Sequence, residues 1–179
     1  MRFAEAGLPG AWIIAPEPAE DARGSFSRVY CKREFSEHQL DLPFVQHSRS
    51  CSKQRGTVRG LHFQRPPFTE AKVVSCRTGA ILDVIVDLRS DSPCFRQWRA
   101  FELTPENRLQ LYVPPGFAHG FQTLCDDTEV EYLISEYYSP THAAGVRFND
   151  PQFGIEWPLQ VAAISEKDRD WPDFETSPF

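Results

Sequence analysis

Prolines and glycines cut this chain into pieces that are mostly too short for helices. Fifteen prolines and ten glycines are spread through 179 residues. Proline removes a backbone donor and glycine frees the backbone, so each tends to end a regular element. The pieces between them mostly alternate apolar and polar rather than repeating at helical spacing. Ala80 to Arg89 is the clearest case. Leu82, Val84, Val86 and Leu88 share one face, and Ile81, Asp83, Ile85 and Asp87 share the other. Asp91-Ser92-Pro93 stops the run. Trp12 to Ile14, Ser25 to Tyr30, Phe44 to Ser52, Ala71 to Arg77 and Trp98 to Leu103 also read as strands. So do Leu109 to Val113, Ala118 to Thr123 and Thr128 to Ser135. Lys32 to Leu40 is the one early helix, with Phe35 and Leu40 as its apolar contacts. Many short strands with Gly/Pro turns predict an all-β sandwich, jelly roll or barrel. Beyond about Ser139 the periodicity fades into loops and a short helix near Ile164 to Trp171. No linker or internal repeat interrupts residues 1–179, which predicts a single domain.

The net charge of −6 argues against general nucleic-acid binding, yet leaves room for a local basic site for a small anion. Cys31, Cys51, Cys76, Cys94 and Cys125 are odd in number and contain no CxxC pair. That predicts neither a disulfide framework nor a zinc site, and suits a reduced cytoplasm. Cys31, Cys76 and Cys125 lie in or beside apolar runs and read as small core residues. The first ten residues carry no apolar signal segment, and no stretch is long enough to span a membrane, so neither export nor insertion is expected.

The stretch Gly56 to Gln64, GTVRGLHFQ, places Arg59 and His62 inside a strand-like run. Burying either is costly without a partner or a task. Taken singly, Arg59 could mark a strand edge and His62 a satisfied core histidine. Three positions apart, they point to opposite faces of an ideal strand. One shared pocket therefore requires a bend or bulge, expected at Gly60. The other expectation is that Arg59 serves a different site, such as a partner's arm. A carboxylate at Asp83, if buried, needs a partner, for which His119 is the expectation.

Pro114-Pro115-Gly116-Phe117-Ala118-His119-Gly120 resembles the second sequence motif of the cupin jelly rolls. In metal-binding cupins the first motif carries H-x-H, whereas this chain has His62-Phe63-Gln64, with Glu70 the nearest following carboxylate. Two histidines alone make a poor site for a first-row metal, so none is expected. The resemblance then becomes more specific. DARGSF (Asp21 to Phe26), SRSCSKQRGTVRGLHFQ (Ser48 to Gln64) and AKVVSCRTGAILDVIVDLR (Ala71 to Arg89) stand in order with PPGFAHGF (Pro114 to Phe121). EYYSP (Glu136 to Pro140), RFNDPQFGIEWP (Arg147 to Pro158) and SEKDRDWP (Ser165 to Pro172) follow. In these stretches the chain resembles the dTDP-4-dehydrorhamnose 3,5-epimerase family from about Trp12 to Trp171.

The resemblance implies a cupin-type jelly roll (a double-stranded β-helix) with an N-terminal strand arm and short C-terminal helices. It implies a dTDP-linked 4-keto sugar as substrate, no cofactor, and a homodimer that exchanges its N-terminal arms. His62 matches the base, Tyr132 the proton donor, and Asp168 the carboxylate that orients His62. Lys72 matches the cation for the enolate oxygen. Arg23 and Arg59 match residues that grip the diphosphate, and Tyr138 the one that stacks on thymine. Phe26, Gln46, Ser48, His119 and Lys167 match further substrate contacts. Four departures lie at or near expected contacts: Arg28 for a glutamate, Ala143-Ala144 for Glu-Arg, Leu133 for a lysine, and Gln46 to Ser50 for an Asn-x-Ser-x-Ser run. The expected activity is inversion at C3 and C5 through an enolate. The alternatives are inversion at one carbon, a keto-isomerase or dehydratase on the same scaffold, and a non-enzymatic sugar-binding or metal-sensing cupin.

Overall fold

The computed structural model describes residues 1–174. The chain begins with β1 (Arg2–Glu5), β2 (Trp12–Ala15), β3 (Ala19–Asp21), β4 (Gly24–Phe26) and α1 (Lys32–Glu37). The central strands are β5 (Gln46–Ser52), β6 (Val58–Gln64), β7 (Lys72–Thr78) and β8 (Ile81–Asp87). Next come β9 (Trp98–Leu103), β10 (Gln110–Val113), β11 (Phe117–Thr123) and β12 (Thr128–Ile134). β13 (Ala143–Gly145) and α2 (Glu166–Arg169) complete the order.

A six-stranded sheet runs β1-β2-β10-β7-β12-β5, and a five-stranded sheet runs β13-β6-β11-β8-β9. Successive strands cross between the sheets, as in a cupin-type jelly roll. Side-chain alternation then assigns each strand's two faces to different layers. Val74, Leu111, Val113 and Val130 of one sheet meet Ile81, Ile85, Phe117 and Phe121 of the other in a shared core. The second face of β8, with Val84 and Val86, and Leu88 just beyond the strand are covered by Val146, Phe153 and Phe174 from the C-terminal region. The outer face of the larger sheet is covered by Phe35 and Leu40, which pack on Ile14, Val73 and Tyr112. Each such buried side chain contributes about 1.5–3 kcal/mol relative to exposure. Ile81 to Leu88 is thus covered on both faces.

The expected strand from Ser25 to Tyr30 stops at Phe26. Residues 19–26 form a short hairpin instead, and Tyr30 leaves it to pack edge-on against Phe35 and Phe44. α1 ends at Glu37, three residues before Leu40, but Leu40 still closes the cluster and donates its backbone N–H to Phe35. β1 and β13 have no alternating signature and form by adding to existing edges, β1 on β2 and β13 on β6. Cys125 is exposed in the turn before β12 rather than in the core, whereas Cys76 is buried and its thiol pKa is pushed up to about 11 by burial. No helix among the described residues is long and apolar enough to cross a membrane.

Candidate active site

The interior between the sheets is apolar at one end and polar at the other. At the polar end a pocket of ≈ 710 Å³ opens to solvent. Its larger-sheet wall follows from alternation along β5, whose even-numbered Gln46, Ser48 and Ser50 turn inward while His47, Arg49 and Cys51 turn out. Lys72 and Tyr132 face inward from β7 and β12 of the same sheet.

The facing wall is β6 and β11, with His62 directly opposite His119 in register. The next pair is Arg59 with Phe121, so three steps along β6 are matched by two along β11. The extra residue on β6 is a bulge, located at Gly60, whose φ is +116°. A Cβ there would stand 2.6 Å from Gly120 Cα and 2.8 Å from His119 O, so glycine is required. The bulge brings Arg59 and His62, which alternation would separate, into one pocket.

His62 Nε2 lies 2.6 Å from Asp168 Oδ1. The His62 side chain is 44% exposed and that of Asp168 only 7%, so the ring reaches into the pocket while its partner is enclosed. Asp168 is held in turn. It sits in α2, where Ser165 caps the helix and accepts its backbone N–H at 3.1 Å, and its second oxygen accepts the Gly60 N–H at 3.2 Å. Burial alone would raise the Asp168 pKa. The hydrogen bond and charge of His62, with Gly60 and Ser165, outweigh burial and hold it below the ordinary value of 3.8. An ionised Asp168 sets Nε2–H as the donor and leaves Nδ1 as the basic nitrogen.

A carboxyl with a lowered folded pKa stabilises the fold above its unfolded pKa, and that stabilisation is lost as pH falls through the folded value. Wild-type protein therefore loses stability below about pH 4 that an Asp168→Asn variant does not have to lose. Urea midpoints of the two proteins, followed downward from neutral pH, should converge in acid; parallel curves would remove this role.

Tyr132 donates to or accepts from Ser50 Oγ at 3.0 Å, and its ring stands edge-on to His119 at 6.3 Å between centroids. Burial, partly offset by the Ser50 bond, raises its pKa well above the ordinary phenol value. The phenol thus keeps its proton at neutral pH and is available as a donor. His119 Nε2 lies 2.7 Å from Asp83 Oδ1, with both side chains buried, as expected for Asp83. Lys72 lies on an interior strand rather than a sheet edge, and its Nζ pairs with Glu70 Oε1 at 2.9 Å.

Arg59 donates to Ser52 Oγ and the Cys51 carbonyl, at 3.0 and 2.9 Å, and has no carboxylate partner among the described residues. Lys167 stands 5.4 Å from the Trp171 ring centroid, likewise without a carboxylate among the described residues. Two cations without a local carboxylate at the pocket suit an anionic ligand. Tyr138, 61% exposed, lines the pocket's rim.

Gln46, Ser48, Arg59, His62 and Lys72 thus share one pocket with His119, Tyr132, Tyr138, Lys167 and Asp168. Arg23 and Phe26 do not line it. They sit on the β3–β4 hairpin, where Arg23 pairs with Asp21 and Phe26 is 76% exposed. Of the departures, Leu133 is misplaced by sequence reasoning and Arg28 lies off this pocket. Leu133 points away from the pocket into the outer cluster, because its neighbour Tyr132 points in, and Arg28 pairs with Glu34 beside α1. Ala143 and Ala144 do line the pocket, on β13 beside β6. Ser52 and Ser165 were not singled out, and Glu70 and Ser50 were named only as a following carboxylate and as the end of a departing run. The inward face of β5 could have found Ser50, and the S-x-x-D spacing before a helix could have found Ser165. Among the described residues no three His, Cys, Asp or Glu side chains gather as a metal site.

Residues 5–176 match the family model described as dTDP-4-dehydrorhamnose 3,5-epimerase. The dTDP-4-dehydrorhamnose 3,5-epimerase of Sinorhizobium fredii is 43% identical over 173 residues, 96% of this chain and 89% of the relative. The crystal structure of the Bacillus anthracis dTDP-4-dehydrorhamnose 3,5-epimerase, with TDP and PPi bound, superposes with a TM-score of 0.94 at 43% identity, covering 97% of this chain and 99% of that one. The Legionella pneumophila dTDP-6-deoxy-D-glucose-3,5-epimerase, in complex with dTDP-4-keto-L-rhamnose, gives 0.86 at 37% identity over 93% of this chain and 89% of that one.

Proposed function

The chain belongs to the dTDP-4-dehydrorhamnose 3,5-epimerase family, and on that footing we propose how its pocket inverts a dTDP-linked 4-keto-6-deoxyhexose at C3 and C5. It is an isomerase, and the double inversion is favoured over inversion at one carbon by its relatives. The observation that carries the mechanism is the His62–Asp168 pair opening into a pocket that also holds Lys72 and Tyr132.

The C4 ketone acidifies the hydrogens on C3 and C5. His62 Nδ1 takes the proton from carbon, and Asp168 stabilises the imidazolium that results. The electron pair moves onto the C4 oxygen, where the Lys72 ammonium offsets the charge. Tyr132 then gives its proton to the opposite face of the same carbon. Solvent restores the cycle by taking the proton from His62 and returning one to Tyr132. The pair Glu70–Lys72 holds the ammonium in place at the pocket wall.

Arg59 and Lys167 bind the diphosphate, Tyr138 stacks on thymine, and Gln46, Ser48 and His119 contact the sugar. Arg23 and Phe26 complete the site of a second subunit. That reading draws support from the β3–β4 hairpin, which pairs only with itself as a sheet and exposes every one of its six strand residues. The homodimer with exchanged arms follows from it. Five free cysteines suit a reduced cytoplasm.

The test is proton NMR of dTDP-4-keto-6-deoxyglucose in deuterium oxide with the protein. Hydrogen signals at both C3 and C5 should wash out as product forms. Washout at one carbon only would select the single-inversion alternative, and none at all would sink the reading.

A further inference from the structure

Gln64 stands where the metal-binding cupin pattern has its second histidine, and its contacts give it another task. It closes β6, is 3% exposed, and turns to the same side as His62 two residues earlier. Its Nε2 donates to the carbonyl oxygens of Phe68 at 3.0 Å and Tyr137 at 3.2 Å. Its Oε1 accepts the backbone N–H of Ser139 at 2.7 Å. Both amide hydrogens are used, and the carbonyl holds a short bond.

The two backbone groups gripped on the far segment, Tyr137 O and Ser139 N–H, bracket Tyr138. The Tyr138 ring is 61% exposed and its phenol makes no hydrogen bond among the described residues, so its placement depends on its backbone. The same segment is tied once more. Ser139 Oγ lies 2.8 Å from His142 Nδ1, and the His142 ring packs on Phe68 at 4.5 Å between centroids. Gln64, Phe68, His142 and Ser139 therefore form a closed ring of contacts beneath Tyr138. One end of that ring is the strand that carries the base.

We propose that Gln64 is a positioning residue, whose amide holds the Tyr137–Ser139 backbone so that the Tyr138 ring meets the nucleotide base at a set place relative to His62. The proposal rests on the reading of Tyr138 as the base-stacking residue. Methionine at position 64 keeps the length and loses all three bonds. Glutamate keeps the shape but turns an acceptor toward the Phe68 and Tyr137 carbonyls.

The test compares wild type, Gln64→Met, Gln64→Glu, Tyr138→Ala and the Gln64→Met/Tyr138→Ala double variant, by calorimetry with dTDP and by steady-state kinetics. Gln64→Met should raise the dTDP Kd and the substrate KM about tenfold, the scale of one lost base–aromatic contact, with a far smaller change in kcat. Gln64→Glu should lose at least as much. In the Tyr138→Ala background, Gln64→Met should add nothing to the Kd. An unchanged Kd in Gln64→Met, a loss fully additive with Tyr138→Ala, or a loss confined to kcat overturns the proposal. Wild-type dTDP affinity in Tyr138→Ala overturns the stacking reading itself, and the proposal with it. If Gln64→Met does not fold, Gln64→Glu carries the same comparison.

Discussion

A His62→Asn variant exchanges neither the C3 nor the C5 hydrogen with solvent, and its turnover falls by about a thousandfold or more. Asparagine places its amide where Nδ1 stood, short of the Nε2 position that meets Asp168, and leaves the carboxylate with the Gly60 N–H as its partner. What it lacks is a nitrogen whose proton affinity suits a base near neutral pH. The neighbouring histidine cannot take over. The His119 side chain is only 5% exposed, against 44% for that of His62. Lys72, Tyr132 and Arg59 remain, so substrate should still bind, and the loss should fall on kcat. Deuterium incorporation per turnover, with dTDP affinity measured alongside, separates the two. Exchange at wild-type rate would remove His62 as the base.

Gly60→Ala should cost about 2–5 kcal/mol of stability, combining overpacking with a left-handed backbone that alanine resists. The Cβ would press on the Gly120 Cα and on the His119 carbonyl, both backbone, at 2.6 and 2.8 Å. Backbone cannot swing aside as a side-chain tip can. β6 and β11 must then separate where His62 and His119 face each other. The Gly60 N–H would also move away from Asp168. A lowered urea midpoint together with lost activity is the expected result. A variant as stable as wild type would show that the bulge relaxes freely.

The strands were legible because most of them are self-contained patterns. Ile81 to Asp87 alternates between Leu82, Val84 and Val86 on one face and Ile81 and Ile85, with Asp83 and Asp87, on the other, and each face found a cover of its own. Strands without that pattern were not legible. β1 and β13 form because an edge lies beside them, and the segment after Phe26 is drawn off by Phe35 and Phe44. In the site, most of the expected residues share a pocket, including Asp168, which lies 106 positions from His62. Arg23 and Phe26 stand apart on their hairpin. The misjudged Leu133 illustrates the limit: a one-residue step along a strand reverses the face, so nearness in sequence to Tyr132 meant distance in space.

By itself the sequence determined the class of fold and which groups were chemically able to act. Periodicity is a local property, set by how successive side chains project from one backbone, and a strand carries it before it finds a partner. Only the tertiary structure decided which groups act together. The bulge at Gly60 depends on Gly120 across the sheet. The partners of Tyr132 and Gln64 lie 82 and up to 75 positions away. Such pairings arise when strands close over one another, and no period along the chain encodes them. The same closure turned a charge and a titratable ring three residues apart into neighbours on one wall.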